Sequence, residues 1–354
     1  MNDLPLGRRA ALALQRGIAY GIFSRPLLCE LVGRKRLAPR GGRRLDAQCA
    51  ALLALHEVDA AADLTQFPPA EARERFALSM GLVEEPGPPG VVTEDHRVAG
   101  PGGAIPLRLY IPPGAVAPSP AIVFFHGGGW VVGSIATHDA LCRRFAVGAR
   151  CRVVSVEYRV GPEHRAPAAP DDALAAFRWV AAHAGDLGID EARIAVAGDS
   201  AGGNLAAVVA RAARDDARRP ALQVLIYPGL DATRSQPSHA ELGQGYLLTA
   251  PLMTWFLEHY VAPGDYRRPD VSPLLAEAWS GLPPALVYTA GFDPLRDEGK
   301  LYAERLEAAG VRTRHWEFPS LIHGFVQMTG AVDAARHALD EIVSDVGRAL
   351  SRGW

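Results

Sequence analysis

The sequence has little of several features that define whole classes of protein. Only four of its 354 residues are cysteine, and no two of them form a CxxC pair or another metal-binding spacing. Because a chain of this length buries a full core without disulfides or a structural metal, we expect reduced thiols and a cytoplasmic protein. No apolar run reaches the roughly 18 residues that a membrane-spanning helix needs, so we expect no such helix.

Motifs for cofactors and signs of a polyanionic partner are also missing. The formal net charge of −2 argues against nucleic acid as the main partner, because that partner requires a large basic face. The sequence has no HExxH zinc motif, no GxGxxG followed by a ribose-binding acid and no GxxxxGK[ST] loop. We therefore expect neither a metal nor an organic cofactor.

Residues 1–44 are the strongly basic part of the chain. They contain ten Lys and Arg residues against only Asp3 and Glu30. Gln15 and Arg16 interrupt the apolar stretch, which argues against a signal peptide. We expect a basic N-terminal extension, helical and packed on the body of the protein or partly disordered. Attachment to an anionic membrane surface is the alternative, because apolar side chains lie between the arginines.

A linker rich in proline and glycine, Glu84–Gly90, divides the remaining chain. Residues 45–90 are predicted to be helical up to this linker. Asp46 is placed to cap a helix over Ala47–Val58, and Pro69 opens a second helix. The β-rich pattern begins only after the linker.

Eight short β-rich runs follow the linker. They are Val91–Val98, Pro106–Ile111, Ala121–Phe125, Arg152–Tyr158, Ile194–Ala197, Leu222–Tyr227, Ala285–Thr289 and Thr313–Phe318. From the third run onward, most are separated by helical stretches, which predicts a mainly parallel sheet with helices on both faces. Leu230–Ser280 breaks this alternation and holds an aromatic-rich helix. An insertion of that length in an α/β domain is often a lid.

The strongest local motif is GDSAGG at residues 198–203, which contains a GxSxG centred on Ser200. It follows a predicted strand and opens a predicted helix, the context in which this motif presents a nucleophile. The tight turn lifts the serine hydroxyl above the sheet at a helix N-terminus, where a developing anion is favoured. We expect Asp199 to point away from the site. A plain glycine-rich turn remains the alternative for this motif alone.

A second motif, HGGGW at residues 126–130, directly follows a buried predicted strand. Three successive glycines cost order, so a fold keeps them only where backbone must approach something closely. The N–H groups of Gly127, Gly128 and Ala201 can converge on one oxygen, which predicts an oxyanion hole. The two motifs together favour a serine hydrolase over two unrelated loops.

The serine needs a base and an acid that orients the base. Five histidines follow Ser200: His239, His259, His315, His323 and His337. We predict His323 as the base, because it lies in a loop just past the final predicted strand. Asp293 directly follows a strand and is the predicted acid, with Asp297, one helical turn later, as its competitor.

Three further residues are predicted to support this site. His126 and Gly129 belong to the glycine loop itself, and Glu163 lies beyond a strand end, where it is placed to brace that loop through hydrogen bonds. We expect Asp172 to cap a helix or to support the loop that precedes it. Trp130 is expected either to line the pocket or to pack against its neighbours.

Taken together, HGGGW, GDSAGG, DPLRDEG and IHGF resemble the motifs of the bacterial esterases of the hormone-sensitive lipase family, within the α/β-hydrolase fold. A fifth block from Tyr158 to Asp172 is similar to that family's YRxxPEHxxPAAxxD. The resemblance covers about residues 45–350. It implies an eight-stranded, mostly parallel sheet in a catalytic domain at 91–354, with a helical cap built from residues 45–90 and an insertion at about 230–280.

The resemblance implies a serine hydrolase that cleaves small carboxylic esters of short to medium acyl chain through an acyl-enzyme. An amidase, lactonase or deacetylase with the same catalytic residues is the alternative within this class. A receptor that binds a small ligand without hydrolysing it is the alternative from another class, but such a relative is expected to have lost the serine or the histidine. The sequence leaves open whether the chain forms a homodimer.

Overall fold

The structure is a computed structural model that describes residues 21–59 and 63–352. The first twenty residues of the predicted basic extension therefore lie outside the described residues. Within the described ranges, the strands are β1 (Val92–Gly100), β2 (Gly103–Ile111), β3 (Ser119–Phe125), β4 (Arg152–Val156), β5 (Ile189–Asp199), β6 (Leu222–Ile226), β7 (Ala285–Phe292) and β8 (Thr313–Ile322).

The main helices of the described residues begin before the sheet and alternate with its strands. They are α1 (Pro26–Gly33), α2 (Ala47–Val58), α3 (Pro69–Val83), α4 (Asp139–Gly148), α5 (Ala168–Ala182), α6 (Ala201–Ala212), α7 (Pro237–Leu242), α8 (Ala250–Tyr260), α9 (Arg296–Ala308) and α10 (Asp333–Arg352). The Asp46 carboxylate accepts from the amides of Gln48 and Cys49, so it caps α2 as predicted. Pro69 is the first residue of α3.

The eight strands form one sheet in the order β1-β2-β4-β3-β5-β6-β7-β8. Strand β2 pairs antiparallel with β1 and β4, and every other neighbouring pair is parallel. The predicted mostly parallel, eight-stranded sheet is therefore confirmed. The carboxyl ends of the parallel strands meet at one edge of the sheet, which is the edge where such folds place their sites.

Helices cover both faces of the sheet, because successive side chains of a strand point to opposite faces. In β3, Val123 and Phe125 belong to a core with α5, α6 and α9, whereas Ile122 and Phe124 belong to a core with α2, α4 and α10. All four of these side chains are completely buried. This explains why the sequence of β3 is continuously apolar rather than alternating.

The end of β8 differs from the prediction. The strand was expected to end at Phe318 and to be followed by a loop, but it continues to Ile322, where it pairs with Phe292. Pro319 suggests a strand end because proline removes a ladder hydrogen bond, yet β8 lies at the edge of the sheet, where proline is tolerated. His323 therefore follows the last strand directly, and its position is fixed by the sheet.

Helices α1 and α2 pack on the core that contains Ile122 and Phe124, whereas Ala72 of α3 belongs to the core on the other face. Helix α1 lies so close to α2 that a Cβ atom at Gly33 would overlap Ala50. Leu27 and Leu31, in contrast, are 82% and 67% exposed on α1. Within residues 21–59 and 63–352, no helix is both long and apolar enough to cross a membrane.

Candidate active site

Ser200 lies in a sharp turn between the last residue of β5 and the first residue of α6. Its backbone adopts φ 55° and ψ −118°, a conformation that non-glycine residues rarely take. Glycine is required on both sides of this turn. A Cβ atom at Gly202 would overlap the carbonyl oxygen of Phe125, and one at Gly198 would overlap the backbone of Gly202. This close packing holds the serine hydroxyl at the N-terminus of α6.

The structure brings Ser200, His323 and Asp293 together in one hydrogen-bonded row. The Nε2 atom of His323 lies 2.9 Å from the Oγ atom of Ser200, and its Nδ1 atom lies 2.8 Å from the Oδ2 atom of Asp293. The other carboxylate oxygen of Asp293 accepts from the amide of Leu295 at 2.8 Å. Asp293 is completely buried. This row can pass a proton from the hydroxyl to the imidazole and hold the imidazole in one tautomer.

The competing acid and histidines lie elsewhere. Asp297 pairs with Arg296 and accepts from the amide of Ser238. His239 pairs with Glu298, and His315 contacts the hydroxyl of Thr289. Within the described residues, none of these side chains contacts the serine hydroxyl.

The structure contradicts one part of the predicted oxyanion hole. The amide of Gly127 donates to the Oδ1 atom of Asp199 at 2.9 Å, so it is not available to a substrate oxygen. A buried carboxylate must find donors, and Gly127 is the glycine of the loop that packs directly against Asp199. Among the described residues the Asp199 carboxylate makes no hydrogen bond to the Ser200 hydroxyl, and it has a partner, the Gly127 amide, that the sequence analysis missed.

Three other amides are available at this position. Those of Gly128, Gly129 and Ala201 donate to no acceptor in the described part of the chain. Gly128 and Gly129 have φ of 122° and 58°, values that favour glycine. Ala201 begins α6, so its amide is one of the unpaired donors of a helix N-terminus. The unpaired set therefore replaces Gly127 with Gly129.

His138 is a buried residue that sequence reasoning did not identify. Its Nε2 atom lies 3.2 Å from the Oδ1 atom of Asp199. Burial opposes the charged imidazole, but the Asp199 carboxylate raises the pKa of His138 above its ordinary value. Burial likewise opposes the carboxylate, but His138 and the Gly127 amide hold the pKa of Asp199 below its ordinary value. A buried aspartate next to the nucleophile needs a hydrogen-bond donor, and this need is the sequence signal that could have pointed to such a partner.

The residues predicted to support the loop do so by different routes. The His126 side chain is completely buried, and its Nδ1 atom lies 2.9 Å from the carbonyl oxygen of Gly127. Glu163 is exposed and acts through Arg73, whose guanidinium binds this carboxylate and donates to the carbonyl oxygen of Val131. The hydrogen bond from Arg73 holds the pKa of Glu163 down at about 2. The predicted brace from Glu163 therefore reaches the loop through Arg73.

Asp172 supports a loop and does not cap its helix. Its carboxylate accepts from the backbone and the guanidinium of Arg159, whereas the residue at the cap position of α5 is Pro167. This pair holds the segment that follows β4.

The insertion between β6 and β7 contacts the glycine loop. Trp130 stacks on Tyr260 of α8, with ring centroids 4.7 Å apart and an interplanar angle of 4°. A Cβ atom at Gly129 would overlap the ring of Phe256, which also lies on α8. Trp130 is buried, so packing is its visible role. In the described ranges, no group of three or more potential metal ligands is present.

Comparisons with known proteins agree with this geometry. Residues 122–327 match the model of a family described as having the alpha/beta hydrolase fold. The carboxylic ester hydrolase LipN of Mycobacterium tuberculosis is 47% identical over 276 residues, which are 75% of this chain and 73% of the relative. The ethyl acetate hydrolase of Pseudomonas putida is 40% identical over 279 residues, 77% of this chain and 88% of the relative.

A solved structure agrees with these sequence comparisons. The ester-hydrolase EH1AB1 from the metagenome of Lake Arreo, solved with a bipyridine phosphonate derivative, is 42% identical and has a TM-score of 0.83. The match covers 86% of this chain and 98% of that one. The chain thus belongs to the α/β-hydrolase family, among the bacterial carboxylesterases that are similar to hormone-sensitive lipase.

Proposed function

We propose that this protein hydrolyses carboxylic esters of short to medium acyl chain through an acyl-enzyme on Ser200. The observation that carries the proposal is the row of hydrogen bonds from Ser200 through His323 to Asp293. The ester-hydrolase names of the relatives support the reaction class.

The reaction begins when His323 takes the proton of the Ser200 hydroxyl. The serine oxygen then attacks the ester carbonyl carbon, and Asp293 stabilises the imidazolium that forms. The negative charge that develops on the carbonyl oxygen is stabilised by the unpaired amides of Gly128, Gly129 and Ala201.

The proton on His323 next passes to the leaving alcohol, so the bond between the acyl carbon and the alcohol oxygen breaks. Water attacks the acyl-enzyme by the same route and returns the proton to Ser200. Esters are favoured over amides, because an alkoxide leaves far more readily than an amine. The helices at 45–90 and the insertion at about 230–280 form a cap in this proposal, and the contact of Phe256 with Gly129 supports the part that the insertion contributes.

The test measures kcat/KM on p-nitrophenyl esters from acetate to palmitate, with the corresponding p-nitroanilides in parallel. We expect the highest kcat/KM among the short and medium acyl chains and loss of turnover in the Ser200→Ala variant. A fluorophosphonate should label one site, which peptide mass spectrometry should locate at Ser200. A maximum at palmitate would contradict the proposed chain length, and faster hydrolysis of anilides than of esters would favour an amidase.

A further inference from the structure

One carboxylate connects the glycine loop with the serine turn. The Oδ1 atom of Asp199 lies 2.9 Å from the amide nitrogen of Gly127 and 3.2 Å from the Nε2 atom of His138. His138 and Asp199 are 0% and 2% exposed. Because Asp199 immediately precedes Ser200 in the chain, this carboxylate joins the loop amide to the residue next to the nucleophile.

Both ring nitrogens of His138 have polar neighbours. Its Nε2 atom lies 3.2 Å from the Oδ1 atom of Asp199, which can only accept, and 3.2 Å from the amide nitrogen of Gly127. Its Nδ1 atom lies 2.9 Å from the hydroxyl oxygen of Thr137. The carboxylate therefore favours a proton on Nε2 and raises the pKa of the ring above its ordinary value.

The other titratable groups near this pair do not replace His138 as the partner of Asp199. The ring of His126 lies 5.6 Å from the ring of His138, and burial together with the neighbouring His138 lowers the pKa of His126 to about 3. His126 is therefore neutral near pH 7. Burial raises the pKa of Glu84 to about 7, although His138 opposes that shift. Among the described residues, His138 is the basic side chain in contact with Asp199.

The pair of Asp199 and His138 also determines which backbone amides of the glycine loop are left without an acceptor. With Asp199 ionised, the amide of Gly127 is held on the carboxylate, and the amides of Gly128 and Gly129 stay without an acceptor in the described chain. A buried carboxylate that has lost its histidine partner is destabilised until it gains another donor or a proton. The loop amide of Gly127 is already one of its donors, so a change in the bonding of this carboxylate acts on the loop.

We propose that His138 is a positioning residue for ester hydrolysis, acting through Asp199 to hold the glycine loop in register with Ser200. The inference rests on the nucleophile and the hydrolysis proposed above. Loss of His138 displaces amides that stabilise the charged transition state. The ground-state carbonyl oxygen carries little charge, so substrate binding changes far less than the chemical step.

The test compares His138→Gln, His138→Leu and Asp199→Asn with the unsubstituted enzyme. Glutamine keeps an N–H donor near the position of Nε2 but no charge, and leucine keeps neither. His315→Gln is the matched control, because His315 is a partly buried histidine that hydrogen-bonds to a threonine hydroxyl, at 2.9 Å in Thr289, and has no contact with the loop in the described residues.

The measurement separates chemistry from folding. Titration with a fluorophosphonate counts active serines, and kcat per titrated serine and KM are then measured on p-nitrophenyl butyrate. Removing one oxyanion donor costs about 10²–10³ in kcat, so we expect a loss of about 100-fold for His138→Leu and about 10-fold for His138→Gln, with KM within about threefold. A purely structural role would reduce the number of titratable serines and leave kcat per serine unchanged.

A double variant tests the route of the effect. If His138 acts through Asp199, the combination of His138→Gln with Asp199→Asn should lose no more kcat than the worse single variant. Fully additive losses would overturn that route. If kcat per titrated serine in the His138→Gln variant stays within about twofold of the unsubstituted enzyme, the proposal is wrong, even if His138→Leu fails to fold. Absence of label on Ser200 in the unsubstituted enzyme would instead contradict the proposed function itself.

Discussion

The Nε2 atom of His323 lies 2.9 Å from the Oγ atom of Ser200, although one residue follows a central strand of the sheet and the other follows its edge strand. Ser200 follows β5 and His323 follows β8, and both strands end at the same edge. Asp293, which follows the intervening β7, completes the row. The order of strands in the sheet thus accounts for the meeting of three residues that are far apart in the chain.

Substitution of the nucleophile or the base should abolish hydrolysis. We expect Ser200→Ala and His323→Ala each to lower kcat by about 10⁴-fold or more, because either change removes the proton transfer that activates the serine. Stopped or continuous assays on p-nitrophenyl butyrate measure the loss. Unchanged melting temperatures would show that the loss is chemical.

The two candidate acids provide an internal control for the same assay. Asp293→Asn should be severe, since it removes the acceptor at 2.8 Å from the Nδ1 atom of His323. Asp297→Asn should leave kcat within a few-fold, because Asp297 contacts Arg296 and the Ser238 amide. The reverse order of severity would show that the acid is misassigned.

The contact between Phe256 and the glycine loop predicts that a second substitution can restore activity that is lost by a substitution at Gly129. Gly129→Ala should inactivate the enzyme, because the new Cβ atom overlaps the ring of Phe256 and the backbone has φ of 58°. Adding Phe256→Ala removes the overlap and should restore part of kcat, the rest being lost to backbone strain. Phe256→Ala alone is the control. No recovery in the double variant would show that the contact does not determine the effect of Gly129→Ala.

The catalytic row was predictable because its residues carry local signals. Ser200 lies in a motif whose context of strand and helix is readable, and His323 and Asp293 follow runs that were readable as strands. The strand alternation also predicted the sheet, since its buried strands are continuously apolar. Strand bounds were less predictable, and among the carboxyl ends the largest error is at β8, because Pro319 at a sheet edge does not end the strand.

The oxyanion loop was only partly predictable. Which glycine amide faces the substrate depends on what else accepts a hydrogen bond, and the acceptor of Gly127 is a side chain far along the chain. His138 follows the loop without a motif of its own, and its role depends on contacts with Thr137 and Asp199 rather than on sequence pattern. Such properties arise from tertiary packing, which single-sequence patterns do not encode.

The buried pair of Glu298 and His239 predicts a pH-dependent stability. Burial raises the pKa of Glu298 from its ordinary 4.5 to about 7, although His239, 3.3 Å away, opposes the shift. The folded state therefore binds a proton that the unfolded state has lost between about pH 4.5 and 7. Stability falls as pH rises through that window, and the loss is complete above it.

Glu298→Gln should remove this dependence, because the amide oxygen still accepts from the Leu230 backbone and cannot ionise. We expect the free energy of unfolding of the variant, relative to the unsubstituted enzyme, to rise between pH 5 and 8 by on the order of 2–3 kcal/mol. Urea denaturation at several pH values measures it. Glu163→Gln is the control, since Glu163 is ionised in both states across this range. Parallel curves for Glu298→Gln would contradict the prediction.

The described part of the basic N-terminal extension, which precedes α2, contacts the insertion near Asp293. Arg36 donates to the carbonyl oxygen of Gly245, and Arg40 lies over the ring of Tyr246. The ring of Tyr246 lies 5.3 Å from that of Phe292, the residue before Asp293. The segment thus connects to the site through a short chain of contacts and has no direct contact with Ser200 among the described residues.

Deleting residues 1–44 should therefore change KM more than kcat on small esters and should lower solubility, because it releases the loop at Gly245 and uncovers α2. Arg36→Ala, which removes only the contact at Gly245, should reproduce the KM change without the loss of solubility. The exposed Leu27 and Leu31 on α1 are the observation that favours the alternative, attachment to an anionic membrane. In that case the truncated enzyme keeps its kinetics but loses salt-sensitive co-sedimentation with anionic vesicles. A truncation that alters neither kinetics, solubility nor vesicle binding would contradict both roles, because each role requires residues 1–44 to contact either the rest of the protein or a membrane.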